Sequence, residues 1–250
     1  MFFFLSTNDE THITTLTLTS ASASSSSTTT NKILLQSLSP FVKGLTIHQH
    51  HQQYQQYQQY QDQNIKAKFH ATSVMRFTEF KQENKITMKT IERLIEDLTN
   101  QIYHLSKKYR HTFYRINPNN IIVIDFSQFL YISSDDLMPL TSESESETDE
   151  IIFTVPFCKD YYISPEIKEI MRLPSRINAK TIYYSLGSFI IDLLYTLFSI
   201  KERKSLKTTT TTPTTTPTTT IPPQIKYTKL YWFLHKATLS NPKDRHLLFI

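Results

Sequence analysis

Glycine is scarce in this 250-residue chain, which contains only Gly44 and Gly187. Loops that cradle phosphate groups need several glycines, because only a backbone without side chains lets its N–H groups approach the ligand closely. The two glycines are isolated and far apart in the sequence. The chain therefore has neither a Walker loop nor a dinucleotide-binding fingerprint.

Cysteine is rarer still, because Cys158 is the only one in the chain. A single cysteine cannot form an internal disulfide and gives a metal no second thiolate, which is typical of proteins from a reducing compartment. We expect its side chain to be buried as a small hydrophobic group. The first residues, Met1–Leu5, lack the basic segment and the length of a secretory signal. We therefore expect an intracellular, cytoplasmic protein.

Positive charge is in slight excess, since 27 Lys and Arg residues oppose 22 Asp and Glu residues and give a net charge of +5. The basic residues are spread along the chain and form no basic run. This pattern permits nucleic acid as a partner but does not indicate it.

Low-complexity sequence fills most of the first 70 residues. Ser, Thr and Ala dominate residues 11–31, and His, Gln and Tyr dominate residues 48–63. Such compositions bury little apolar surface, so residues 1–70 are predicted to form a disordered arm. The cluster of His48, His50 and His51 lacks a fourth ligand nearby, and we expect solvated side chains there rather than a metal site.

Two further segments have biased compositions. Residues 141–150 alternate Ser and Thr with acids and predict a solvated acidic loop. Residues 205–224 are rich in Thr and Pro, and their prolines lack the N–H group that a helix needs. They predict an extended insertion within a folded region that spans residues 71–250.

Residues 86–132 carry regular patterns. Apolar side chains recur with helical spacing between Ile86 and Tyr109, which predicts an amphipathic helix. Two short β-type runs, Ile121–Ile124 and Phe129–Ile132, predict a hairpin. The predicted buried positions of the helix are Ile91, Leu94, Ile95, Leu98, Ile102 and Leu105.

Helical patterns return in the second half of the chain. The run Ile182–Ile200 contains one charge, Asp192, and is long enough to raise the question of a membrane span. A carboxylate in the bilayer costs about 2.5 to 3.5 kcal/mol on insertion scales, so a buried central helix is favoured. Another helix is predicted over Tyr227–Leu239, where Tyr231 and Trp232 are interpreted as packing residues.

Four short motifs follow one another along the chain: Asn117-Pro118-Asn119-Asn120, Ser164-Pro165-Glu166, Tyr184-Ser185-Leu186-Gly187 and Asn241-Pro242-Lys243-Asp244-Arg245. Together with the order of the predicted elements, they resemble the C-terminal lobe of the eukaryotic protein kinases, from about Met88 to Ile250. The resemblance implies a mainly α fold with a small β-hairpin (α+β) and an N-lobe that is absent or unrecognisable, because nothing before Met88 resembles a glycine-rich loop or the strand that carries the phosphate-binding lysine. It also implies structural roles for Pro118, Pro165, Glu166, Ser185, Gly187 and Arg245, with Glu166 and Arg245 as a buried ion pair.

At the chemical positions of the family the chain has different residues. Arg115 falls at the position of the catalytic Asp, and a guanidinium cannot act as a base at ordinary pH. Ser133 or Ser134 falls at the magnesium-binding Asp, and Ile182 at the Asp that orients the catalytic loop. Asn120 matches the metal-binding Asn. The resemblance therefore implies a retained scaffold without the groups that transfer phosphate.

Three functions follow as hypotheses. The favoured one is a pseudokinase with no catalytic residue, cofactor or metal, which acts as a scaffold by binding another protein. The alternative is a divergent active Ser/Thr protein kinase that holds ATP and magnesium with Asn120 and with Asp125, Asp135 or Asp136. The third is a membrane-anchored helical protein that spans the bilayer through residues 182–200, although no membrane partner is expected.

Overall fold

The computed structural model describes residues 2–8, 11–19, 25–49, 65–83, 86–141, 149–205 and 220–247. Within these ranges the chain forms six α-helices and eleven β-strands. The helices are α1 (Ser25–Ser37), α2 (Phe77–Glu83), α3 (Met88–His104), α4 (Pro165–Lys168), α5 (Thr181–Ser205) and α6 (Lys229–Ala237). The strands are β1 (Phe2–Asn8), β2 (Ile13–Thr19), β3 (Thr46–Gln49), β4 (Ile65–His70), β5 (Val74–Arg76), β6 (His111–Phe113), β7 (Ile121–Ile124), β8 (Gln128–Tyr131), β9 (Leu137–Pro139), β10 (Glu150–Phe153) and β11 (Ser175–Asn178).

The chain divides into two compact units. The first unit contains Met1–Asn84, Asn100–His111 and Pro118–Leu137. The second unit contains Lys85–Thr99, Thr112–Asn117 and Met138–Ile250.

A four-stranded antiparallel sheet with the order β1-β2-β4-β3 lies in the first unit. Leu16 of β2 lies opposite Ala67 of β4, and Leu18 lies opposite Ile65. All four side chains are buried. Helix α1 contacts β4, and Leu34 and Leu35 of the helix are buried together with Leu38, which directly follows it.

This sheet corrects the expected fold class. The prediction of a mainly α fold with a small β-hairpin is wrong, because the described residues are mixed α/β, with about 42% helix and 26% strand in four small sheets, and they show no kinase fold. The disordered arm was predicted over residues 1–70, and the structure describes β1 to β4 and α1 there. Thr is β-branched and suits a pleated strand, so a Thr-rich composition is compatible with β structure as well as with disorder. Residues 50–64 of the His/Gln/Tyr tract lie outside the described residues.

A second sheet of the first unit has the order β5-β7-β8. Its β7–β8 hairpin confirms the predicted hairpin, with Ile121 opposite Tyr131 and Ile124 opposite Gln128. The side chain of Gln101 is fully buried and binds the backbone of Tyr131 twice: Nε2 donates to the carbonyl oxygen at 2.8 Å, and Oε1 accepts from the N–H at 2.9 Å. Gln101 thereby satisfies both backbone groups of Tyr131 that β7 does not use.

The predicted helices are confirmed. Helix α3 buries all six predicted positions and continues into one π-helical turn over Leu105–Tyr109. Helix α5 covers the apolar run, and α6 buries Leu230, Phe233, Leu234 and Ala237.

Helices α5 and α6 of the second unit approach each other closely at Gly187. A Cβ atom built on Gly187 would lie 2.7 Å from Cγ2 of Thr238 and 3.2 Å from Cβ of Ala237. Both distances are shorter than normal van der Waals contacts. The close packing against α6 and Thr238 therefore favours a residue without a side chain at position 187.

We expect Gly187→Ala to lower the free energy of unfolding by about 1 kcal/mol, since overpacking costs about 1 to 3 kcal/mol and Ala recovers about 1 kcal/mol of helix propensity. Urea unfolding measures the change. Thr238→Ser is the control background, because serine lacks Cγ2 but keeps the hydroxyl that donates to the Leu234 carbonyl. In that background Gly187→Ala should cost nothing; an equal cost in both backgrounds would show that Thr238 is not the obstacle.

Candidate functional site

The candidate site residues are divided between the two units. Asn120, Asp125, Asp135 and Asp136, with Pro118, belong to the first unit. Arg115 belongs to the second unit, as do Pro165, Glu166, Ser185, Gly187 and Arg245.

Arg115 lies in a buried stretch of the second unit. Only 8% of the residue is exposed, and its guanidinium carbon lies 5.4 Å from the ring centroid of Tyr114. The next residue, Ile116, exchanges two backbone hydrogen bonds with Tyr162, at 3.1 and 3.3 Å. At the position that the resemblance aligns with the proton acceptor of the kinases, this chain holds a buried cation packed on an aromatic ring.

Asp136 is the best-enclosed carboxylate among the candidates, with no exposed surface. Its Oδ2 accepts a 2.6 Å hydrogen bond from the Tyr131 hydroxyl and a 3.4 Å hydrogen bond from Nδ2 of Asn120. The backbone carbonyl of Asn120 accepts from the N–H of Ile132 at 2.8 Å. Asn120 and Asp136, two of the predicted magnesium ligands, thus lie in contact, but they are hydrogen-bonded to each other in a buried cluster.

Asp125 has a different structural task. Its Oδ1 accepts three hydrogen bonds, from the N–H and the hydroxyl of Thr72 at 2.7 and 2.6 Å and from the N–H of Ser73 at 3.0 Å. Burial raises the pKa of Asp125, but these hydrogen bonds, together with His12, outweigh burial and leave the pKa below its ordinary value. Asp125 therefore holds the turn before β5 and is not directed at Asn120 by any of these contacts.

Ser133 and Asp135, two further candidate positions, lie in the segment that follows β8. Asp135 is exposed, whereas Ser133 is buried. Among the described residues no group of three His, Cys, Asp or Glu side chains could hold a metal ion. Of the His cluster, His48 is exposed on β3, and His50 and His51 lie outside the described residues.

Glu166 and Arg245 form the ion pair that the resemblance implied. Arg245 is fully buried, and its two terminal nitrogens donate to the two carboxylate oxygens of Glu166. Its remaining bonds go to the carbonyl oxygens of Leu239 at 2.7 Å and Ser240 at 3.1 Å. The guanidinium carbon also lies 5.0 Å from the ring centroid of Tyr184. This arrangement joins α4 to the residues that follow α6.

Helix α5 passes the length and composition test for a membrane span over Thr181–Ser199, but 61% of that window is buried inside the protein. The one acid of that window, Asp192, is exposed and accepts a 2.7 Å hydrogen bond from the Tyr162 hydroxyl. Burial and the Asp192 carboxylate both raise the pKa of Tyr162. Within the described residues, α5 is therefore a mostly buried core helix.

Two side chains expected to be buried are exposed. Cys158 is exposed and donates from Sγ to Asp160 at 3.0 Å. Trp232 is 54% exposed, so its interpretation as a packing residue is wrong. The apolar positions of α6 already fill its buried face, and Trp232 lies on the opposite face between Lys229 and Lys236. The sequence carries a signal for this exposure, because Trp232 is spaced three and four residues from the two lysines and so shares their face of the helix.

A cleft of about 330 Å³ runs beside α6 in the second unit. It is lined by Tyr231 and His235 of α6, by Ile221 and Leu239, and by the hydroxyl residues Thr238 and Ser240. The ring of Trp232 contacts both aromatic lining residues, with centroids 5.4 Å from Tyr231 and 5.9 Å from His235.

Comparison of the chain with protein-family models and with curated proteins found no match.

Proposed function

We propose that this protein is a kinase-like protein that does not transfer phosphate, a pseudokinase that acts in the cytoplasm as a scaffold for another protein. The observation that carries the proposal is the fully buried carboxylate of Asp136, whose Oδ2 is bonded to Tyr131 and Asn120. A magnesium ion needs carboxylate oxygens that face the nucleotide phosphates and several waters. The carboxylate of Asp136 instead accepts hydrogen bonds inside its own unit.

The other chemical positions support the same proposal. Phosphoryl transfer depends almost entirely on positioning and electrostatic stabilisation, so each missing group removes a large part of the rate. Arg115 cannot accept the proton of a substrate hydroxyl. Asp125, the third acid considered as a magnesium ligand, already accepts three hydrogen bonds from Thr72 and Ser73.

A divergent active kinase is the second candidate, and one observation favours it. Asn120 Nδ2 and Asp136 Oδ2 are 3.4 Å apart, and the exposed Asp135 is next in the chain. An amide oxygen and two carboxylates are suitable ligands for magnesium. In that case Asp136 must exchange the Tyr131 hydroxyl for the cation when ATP binds.

Thermal unfolding of the full chain with ATP and magnesium separates the two candidates. A ligand at 100 times its dissociation constant stabilises a fold by about 2.7 kcal/mol, a readily measured shift. We expect no shift. A shift that requires magnesium, and that is abolished by Asp135→Asn but not by the control substitution Glu169→Gln at another exposed acid, would overturn the proposal in favour of the active kinase.

A further inference from the structure

The exposed face of α6 combines an aromatic side chain with positive charge. Lys229, Trp232 and Lys236 are all exposed and are spaced three and four residues apart, so they lie along one face of the helix. The two lysines are separated by about 10 Å along the helix axis. Just before the helix, Tyr227 is 81% exposed, and the ammonium of Lys226 lies 5.1 Å from its ring centroid.

The residues that adjoin this helix face in the sequence include no carboxylate that could neutralise its lysines. Residues 220–243 contain no Asp or Glu, and the first acid that follows, Asp244, accepts a hydrogen bond from Asn241. The face also borders the cleft, because Trp232 packs against Tyr231 and His235 in its lining. A cleft lined by aromatic, hydroxyl and aliphatic side chains therefore lies beside a positively charged helix face, and no acidic residue occurs in the sequence between residues 220 and 243.

We propose that the α6 face, defined as Lys226, Tyr227, Lys229, Trp232 and Lys236, together with the adjacent cleft, is the docking surface for an acidic segment of a partner protein. The segment carries one aromatic side chain that contacts Trp232 and enters the cleft, and acids on either side of it that pair with the lysines. The cleft volume, about 330 Å³, lies at the lower end of the usual range for binding cavities and accommodates a single large side chain. This inference rests on the proposed function, because it names the chemistry of the partner that the scaffold binds.

Charge and apolar area favour this occupant over a membrane or a nucleic acid. The apolar face of α6 is buried inside its unit, so only Trp232 and Tyr227 are left to enter a bilayer, far less than an amphipathic interfacial helix inserts. Arg supplies much of the phosphate recognition in nucleic-acid interfaces, and Arg245, the one Arg among residues 220–247, is buried against Glu166. Exposed Trp and Tyr are residue types that dominate the binding energy of protein interfaces.

Trp232 is the only tryptophan in the chain, so its fluorescence reports on this surface alone. The probe is a synthetic peptide with the sequence Glu-Glu-Asp-Phe-Asp-Glu-Glu, added to the full chain without nucleotide. We expect saturable quenching or a spectral shift of Trp232, weakened by added salt because exposed charges are screened. A peptide with Ser in place of Phe should bind about tenfold more weakly, since the aromatic anchor is lost.

The variant Lys229→Glu/Lys236→Glu should weaken binding of the Phe peptide about tenfold or more. Lys81→Glu/Lys89→Glu, at two exposed lysines outside α6, changes the net charge equally and should leave the affinity within about twofold. The surface assignment is overturned if the control pair weakens binding equally, if the Ser peptide binds as well as the Phe peptide, or if no peptide changes the fluorescence. It is also overturned if anionic vesicles or single-stranded oligonucleotides perturb Trp232 at lower concentration than the peptide, or if emission depends on protein concentration through self-association.

Failure here is distinguishable from failure of the proposed function. Nucleotide is absent from the peptide assay, and peptide is absent from the ATP assay. If the peptide does not bind but ATP gives no shift, the docking surface is rejected and the scaffold proposal stands. If ATP gives a magnesium-dependent shift and the peptide still binds, the scaffold proposal is rejected and the docking surface stands.

Discussion

Arg245→Ala is expected to lower the free energy of unfolding by about 3 to 5 kcal/mol, the cost of leaving one charge of a buried pair without its partner. Arg245 has no exposed surface, and its removal leaves the carboxylate of Glu166 only 19% exposed and without a counter-ion. The carbonyls of Leu239 and Ser240 lose their donor at the same time. Urea denaturation of the two proteins near pH 7 measures the difference.

The loss should shrink in acid, and the sign follows from the pKa of Glu166. Burial raises that pKa, but the hydrogen bonds and charge of Arg245 outweigh burial and hold it below the ordinary value of 4.5. A carboxyl whose pKa is lowered by folding contributes stability above its unfolded pKa and loses it as the pH falls through the folded value. Without Arg245, only the backbone N–H of Glu166 and the Ser164 side chain still oppose the effect of burial on the pKa, so the protonated form is populated more readily than in the wild type. The two proteins should therefore become closer in stability below about pH 4.5.

Two further variants test whether the effect belongs to the pair. Glu166→Gln removes the ionisable group, so its stability relative to the wild type should improve as the pH falls through the same range. The double variant Glu166→Leu/Arg245→Met replaces both charges by apolar groups and should cost much less than Arg245→Ala. If the single and double variants are equally destabilised, the cost comes from lost packing on Tyr184 and not from an unpaired charge.

Periodicity decided how much of the fold could be predicted. The six apolar positions of α3 repeat every three or four residues and are all buried, because one stripe of a helix faces the core. Buried and polar residues also alternate in β4, where Ile65, Ala67 and Phe69 are buried. Because β4 directly follows the Gln-rich tract, composition places it in the predicted disordered arm. In β2 the pattern is weaker still, since Thr14 is buried on the same face as Leu16 and Leu18. Composition is therefore a poor guide where β-branched polar residues form strands.

Contacts between distant residues limited prediction of the site. Glu166 and Arg245 were found through a resemblance in local motifs, 79 residues apart, and no spacing rule would have joined them. Tyr131 and Asn120 were not expected to enclose Asp136, because that cluster depends on where β8 ends relative to the turn before β7. Trp232 differs, since two lysines at helical spacing already placed it away from the apolar stripe of α6.

Gln101→Leu is expected to be the most damaging substitution in the first unit. It keeps the approximate size of the side chain but removes both hydrogen bonds that Gln101 makes to the N–H and the carbonyl of the buried residue Tyr131. Each unsatisfied buried group costs about 1 to 3 kcal/mol, so the expected loss is about 2 to 6 kcal/mol. Urea denaturation measures the total, and hydrogen exchange at the Tyr131 amide measures the local effect.

Gln128→Leu is the matched control in the same unit. Gln128 is only half-buried, and its side chain makes one such bond, from Nε2 to the carbonyl of Phe41. Its loss should cost about 1 kcal/mol, near the net value of an ordinary hydrogen bond. Exchange should accelerate at Tyr131 in the Gln101 variant but not in the control, whereas the Ile132 amide, which donates to Asn120, should follow global stability in both. Equal losses in the two variants would mean that the two hydrogen bonds of Gln101 contribute no more than an ordinary bond, and that the pairing with β7 and the apolar side chains are enough to hold β8.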